Sequence, residues 1–150
     1  MNRLDHTPGV GRQRGTSLIE VLVAVLVLAI GLLGIAALQS LTLKNTQSAS
    51  ERTAAIIQSY AILDMMRANR DDALAGRYNE GYRCSPPADT STRVNADRAL
   101  WIAQLQQSVG PTACARIACN ANDCAVDIRW NDERATGGSA EQEISTRTRL

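Results

Sequence analysis

The chain has 150 residues, a formal net charge of +1, 45% hydrophobic residues and no phenylalanine. Its single histidine, His6, stands near the N-terminus, and its charges are near balance. These figures exclude imidazole catalysis beyond residue 6 and a sequence-independent DNA binder, which needs a basic face.

Met1–Gly15 is polar, holds Pro8 and three glycines, and ends in a basic patch containing Arg12 and Arg14. Positive charge just before an apolar run predicts that this end stays cytoplasmic. From Thr16 onward the next proline is Pro86. Val21–Leu38 carries no charge, and at ~1.5 Å per residue it spans about 27 Å, close to the hydrocarbon thickness of a bilayer. A conventional signal peptide cut after Ala36 is the rival reading, since Gly34-Ile35-Ala36 is small-x-small. Signal-peptide cores are shorter than this run, which continues without a break into the next helical stretch. A plain single-span anchor is a second rival. Gly31 and Gly34 are one residue short of GxxxG spacing and read as local softening of the helix, not as a dimer motif.

Beyond Leu38, apolar residues recur at helical spacing at Leu41, Ala49, Ile56, Tyr60 and Leu63, with Ile57 and Met66 widening the stripe. Ser48, Glu51, Arg52, Gln58, Arg67 and Arg70 fill much of the other side. The pattern predicts an amphipathic helix to Asn69, its apolar stripe facing the core. About 80 residues then remain for a globular part, a size at which disulfides often supplement burial.

Asp71–Thr92, with Gly76, Gly81, Pro86 and Pro87, reads as an irregular connection. Asn95 is the expected N-cap of a helix from Ala96 to Val109, stopped by Gly110-Pro111, with Leu100, Trp101 and Leu105 on its buried side. Ala113–Cys119 has modest strand character. Ala125–Trp130 is a clear strand in which Val126, Ile128 and Trp130 alternate with Asp127 and Arg129. The charged residues between 127 and 134 read as a solvated strand face and turn. Asn131–Ala140 is a loop with Gly137-Gly138, and Glu143–Leu150 a final strand, antiparallel to the previous one. Trp101 and Trp130 are expected in the core. The fold class is α+β: a long N-terminal helix, membrane-spanning and then amphipathic, packed on a small antiparallel sheet.

Cys84, Cys114, Cys119 and Cys124 all follow the apolar run. An even number in a small extracytoplasmic domain reads as two disulfides, and three pairings remain open. The rival is a four-thiolate zinc site, but Cys84 is remote and the other gaps suit it poorly. No catalytic constellation, phosphate-binding loop or metal-spaced carboxylate set is visible. The expectation is no enzyme, no cofactor and no metal.

Glu20 is the odd residue. Ser17-Leu18-Ile19-Glu20 fits a capping box. A carboxylate at the head of a hydrocarbon-spanning helix is nevertheless costly unless a cation meets it. An ammonium about one helical turn away, from the same subunit or its neighbour, could supply that charge.

Gly15–Leu38 (GTSLIEVLVAVLVLAIGLLGIAAL) resembles the class III signal of type IV pilins and pseudopilins, most closely that of PilV-type minor pilins, also called type IV pilus modification proteins. Thr16 stands where this family usually has phenylalanine, and the proline often found near Gly31–Gly34 is missing. The resemblance implies cleavage by a prepilin peptidase between Gly15 and Thr16, N-methylation of Thr16, and a role for Glu20 in assembly. It implies a leader over 1–15, a transmembrane and assembly helix over 16–38, its amphipathic continuation over 39–70, and a periplasmic pilin domain over 71–150. Cleavage would remove Arg3, Arg12, Arg14 and Asp5, leaving a mature net charge of −1. The implied partners are prepilin peptidase, other minor pilins, the major pilin and the inner membrane, with no nucleic acid. The implied function is a subunit of the priming or tip complex of a type IV pilus. The alternatives are a pseudopilin of a type II secretion system and a tip adhesin or DNA-uptake module.

Overall fold

A computed structural model describes residues 15–120 and 123–150. The expected leader, apart from Gly15, lies outside the described residues. The elements are α1 (Leu18–Ala68), α2 (Arg70–Leu74), β1 (Glu80–Arg83), α3 (Arg93–Ser108), β2 (Cys114–Cys119), β3 (Cys124–Trp130) and β4 (Gln142–Thr148). The chain divides into two units, the first ending at Gln39 and the second running from Ser40 to Leu150.

In the second unit the four strands form one antiparallel sheet in the order β1-β2-β3-β4. Ala115 faces Ile128, Ile117 faces Val126, and Ile128 faces Ile144. Side chains alternate across a strand, so Val126, Ile128 and Trp130 share one face and are fully or almost fully buried. Against that face pack Ala55, Ile62, Leu63 and Met66 from α1 and Trp101, Ile102 and Leu105 from α3. This is the α+β architecture expected: a long helix on a four-stranded antiparallel sheet. Both tryptophans are core residues. Trp101 also donates its indole N–H to the Gln58 carbonyl at 2.9 Å, tying α3 to α1.

The buried stripe of α1 differs from the expected one. Ser48, Glu51, Ala55, Ser59, Ile62, Leu63 and Met66 face inward. Leu41, Ala49, Ile56, Ile57 and Tyr60 face outward, with Ile56, Ile57 and Tyr60 at 45%, 61% and 53% exposure. Part of the inward face is small: Ala55 and Ser59 are fully buried where α1 packs on the core. The Ser59 hydroxyl needs no partner across that contact, since it donates back to the Ala55 carbonyl at 3.0 Å. Ser48 and Glu51 are inward because partners await them on the β3–β4 loop, described below.

Other boundaries also shift. α1 ends at Ala68, and Asn69 leaves helical geometry at φ −128°, ψ 53° before α2 begins. The supposedly irregular 71–92 segment contains most of α2 and all of β1, a short edge strand whose Gly81 hid its strand character. The N-cap of α3 is Thr92, not Asn95: the Asn95 amide donates to the Thr92 hydroxyl at 3.2 Å. Both residues are good caps, and the helix begins at the earlier one. Leu100 is 52% exposed, not buried. Asp127 and Asp132 are buried, not solvated. Asp127 is covered by its cross-strand neighbour Arg116 at 3.0 Å.

Candidate processing and assembly site

Gly15, Thr16 and Ser17 precede the helix, are non-helical and are exposed. A Cβ at Gly15 would meet nothing within 4 Å. α1 starts at Leu18, where the Glu20 and Val21 amides donate to the Ser17 carbonyl at 3.0 and 3.3 Å. What joins Ser17 to Glu20 is thus a backbone bond. The Glu20 carboxylate stands in the first turn, exposed, where the positive end of the helix dipole favours an anion. The Gly15–Thr16 bond is non-helical and exposed, so no helical turn must unwind to reach it.

Behind this head every large apolar side chain from Leu18 to Leu38 is at least half exposed. The most apolar 18-residue window of α1 has mean hydropathy 3.1 and is 0% buried. By length and composition it can cross a membrane. Such a surface is stable only in lipid or against other apolar helices.

In the second unit the cysteines form two disulfides, Cys84–Cys114 and Cys119–Cys124. The first joins the residue after β1 to the start of β2. The second closes the β2–β3 hairpin between directly paired residues. No thiolate is left for the zinc site considered as a rival.

Several arrangements here left no trace in local sequence. The β3–β4 loop is fastened to α1: the Ser48 hydroxyl donates to the Asp132 carboxylate at 2.6 Å, and Arg134 pairs with Glu51 at 2.5 Å. Arg52 lies 3.7 Å from Asp132 and donates to Gln142 at 3.0 Å. The loop folds tightly enough that a Cβ at Gly138 would come 1.8 Å from the Asp132 carbonyl oxygen. A second cluster centres on Tyr78, whose hydroxyl donates to Asp97 at 2.6 Å and accepts from Asn69 at 3.2 Å. Arg93 completes it, 2.7 Å from Asp97. Burial, and then the bond to Asp97, pushes the Tyr78 hydroxyl up to about 12. On the outer sheet face, the Arg129 guanidinium lies 4.1 Å from the centre of the Tyr82 ring and that of Arg116 5.9 Å.

Residues 11–36 match the family pattern described as the prokaryotic N-terminal methylation motif. Neither a curated protein nor a solved structure gives a significant match. The matched segment contains Gly15, Thr16, Glu20 and most of the apolar run. It supports a type IV pilin or pseudopilin as the class of protein, a chain processed by prepilin peptidase and assembled with other pilins. Together with the apolar helix, it also supports membrane anchoring.

Proposed function

We propose that this chain is a minor type IV pilin of the PilV type, incorporated into the priming or tip complex of a pilus. The observation that carries the proposal is the matched segment 11–36, with a non-helical, exposed Gly15–Thr16 bond ahead of an unpacked apolar helix headed by Glu20. Prepilin peptidase cuts after Gly15, and the amine of Thr16 is methylated. Before assembly the chain sits once through the inner membrane, with residues 1–15 cytoplasmic and the disulfide-bonded domain periplasmic. On extraction into a filament, Glu20 meets the N-terminal ammonium of a neighbouring subunit, which offsets the cost of both charges in an apolar bundle and fixes axial register. The chain acts as a subunit and as an enzyme's substrate, not as an enzyme.

The outward residues Ile56, Ile57 and Tyr60 favour a helix that continues to meet partners beyond the membrane. A pseudopilin of a secretion machine would use the same helix physics. The four cysteines and the domain length favour the pilus.

The test is the intact mass and N-terminal peptide of the protein co-expressed with prepilin peptidase. A chain starting at Thr16 with one added methyl supports the reading. A chain starting at Met1 or Ala37 sinks it. Recovery in sheared pili, against recovery only in a secretion pseudopilus, separates the two machines.

A further inference from the structure

The uncharged run of α1 does not end at Leu38. Leu41 and Leu43 are 49% and 72% exposed, and Lys44 is the first charged residue after Glu20. At ~1.5 Å per residue Val21–Leu43 spans about 35 Å, longer than the hydrocarbon layer and shorter than hydrocarbon plus both headgroup layers. In a spanning helix Lys44 therefore falls among the headgroups. The β3–β4 loop reaches the same level, where the Thr136 amide donates to the Asn45 side-chain oxygen at 3.3 Å. Between loop and helix lies an open hollow of about 320 Å³. Asn45, Ser48 and Arg52 line it from α1, and Thr136, Gly137 and Gly138 from the loop. Lys44 stands one turn before Ser48 and so flanks the same side of the helix. It is exposed and pairs with no acid among the described residues.

We infer that this hollow is a headgroup site for an anionic phospholipid of the extracytoplasmic leaflet, its phosphate held between Arg52 and Lys44. No acidic residue lines the hollow. The carboxylate behind it, Asp132, is 1% exposed and already accepts the Ser48 hydroxyl, with Arg52 3.7 Å away. Glu51, buried nearby on α1, is taken by Arg134. A lipid ammonium thus finds no partner here, whereas a phosphate finds a guanidinium whose fork matches its oxygens and a lysine beside it. Basic pockets at the membrane surface select anionic headgroups in this way. The loop wall suits a close approach: the Gly137 amide donates to no backbone oxygen, and Gly137, at φ 74°, has no side chain to fill the space. A lipid bound there holds the loop against the membrane for as long as α1 remains in it.

The inference rests on the membrane span proposed above, and the test separates the two. Full-length protein is placed in nanodiscs of phosphatidylcholine alone, or with about a quarter phosphatidylglycerol, and backbone hydrogen exchange is followed by mass spectrometry. In the phosphatidylglycerol discs, exchange at residues 135–138 should slow on the order of tenfold, as two cations at an anionic surface allow. Millimolar inorganic phosphate added to phosphatidylcholine discs should leave it unchanged. Lys44→Gln and Arg52→Gln should each reduce the slowing. Arg52→Gln also loses contacts to Asp132 and Gln142, so Lys44→Gln is the decisive variant, and exchange in β3 and α3 confirms that each stays folded. Equal exchange in the two kinds of disc, slowing by free phosphate, or slowing that survives Lys44→Gln overturns the site. A chain that fails to enter the discs refutes the span beneath it, whereas an anchored chain with equal exchange refutes the headgroup site alone.

Discussion

The Ser48 hydroxyl and the Asp132 carboxylate meet at 2.6 Å across 84 residues of sequence, both buried, and fasten the β3–β4 loop to α1. Because Asp132 is almost wholly out of solvent, loss of one donor is not made good by water. A hydrogen bond to a buried charge contributes about 1.5–3 kcal/mol. Ser48→Ala is therefore expected to lower stability by about that amount. Denaturant unfolding of the detergent-solubilised protein, followed by tryptophan fluorescence, checks this. Asp132→Ala and Ser48→Ala should be non-additive, since each removes the same bond.

The two disulfides close loops of different length, with sequence separations of 30 and 5. In the chain-entropy account, closing the longer loop stabilises by about 3.6 kcal/mol and the shorter by about 2 kcal/mol. The Cys84→Ser/Cys114→Ser pair should thus destabilise more than the Cys119→Ser/Cys124→Ser pair. The hairpin pair also retains its backbone ladder, which holds the strands in register without the bond. Unfolding midpoints of the two double variants decide it, and equal midpoints would contradict the ordering.

The head of the chain was legible because its chemistry is local. A glycine, a spacer, one carboxylate and an uncharged membrane-length run lie within 24 consecutive residues. β3 was legible for the same reason, its alternation being visible in six residues. The face of α1 beyond the membrane-length segment was not. Apolar residues are assumed to point inward, yet Ile56, Ile57 and Tyr60 point out, and the inward positions are Ser48, Glu51, Ala55 and Ser59. Nothing near Glu51 announces Arg134, 83 residues away. Asn95 was expected to cap α3, but Thr92, three residues earlier, has a side chain equally able to do so and is the cap.

That outward face yields a paired prediction. Ile57→Glu changes an exposed position, and surface changes are usually within about 0.5 kcal/mol, so folding should be nearly unaffected. Ile62→Ala, one and a half turns on but fully buried, should cost about 2–5 kcal/mol. If Ile57 meets a neighbouring subunit, Ile57→Glu should instead deplete the protein from sheared pili while its membrane pool stays normal. Immunoblots of both fractions read the contrast. Normal incorporation of Ile57→Glu would show that this face stays free in the filament.

Glu20 separates processing from assembly. Glu20→Ala should still be cut after Gly15, because the exposed Gly15–Thr16 bond lies outside the helix that carries Glu20. Assembly should fail, since the N-terminal ammonium then enters an apolar bundle unpaired. Breaking a buried ion pair costs about 3–5 kcal/mol, enough to lower incorporation on the order of 100-fold or more. Glu20→Gln should fail similarly, which distinguishes charge pairing from helix capping, because glutamine can serve a capping box. N-terminal sequencing and pilus fractionation of both variants give the two readouts.

Alkaline pH should loosen the domain through its tyrosines. Burial, with the bond to Asp97 adding to it, raises Tyr78 from 10.0 to about 12, and burial likewise raises Tyr82 from 10.0 to about 12, reinforced by Glu143. A group whose proton is held more tightly in the folded chain favours folding fully below its unfolded value. It loses that contribution as pH rises from about 10 to about 12. The wild-type unfolding midpoint should therefore be flat from pH 7 to pH 9 and fall steeply above 10. Tyr78→Phe removes a proton that cannot then be lost, so its midpoint should start lower, because Asp97 loses a donor, but decline less between pH 10 and 11. Tyr82→Phe should shallow the same limb with a smaller penalty at pH 7, since its ring is only partly buried and its hydroxyl supports no buried carboxylate. Midpoints for all three proteins across pH 7–11, with phenolate absorbance recorded in parallel, would assign the fall to these two hydroxyls. An alkaline limb unchanged in both variants would place its origin elsewhere.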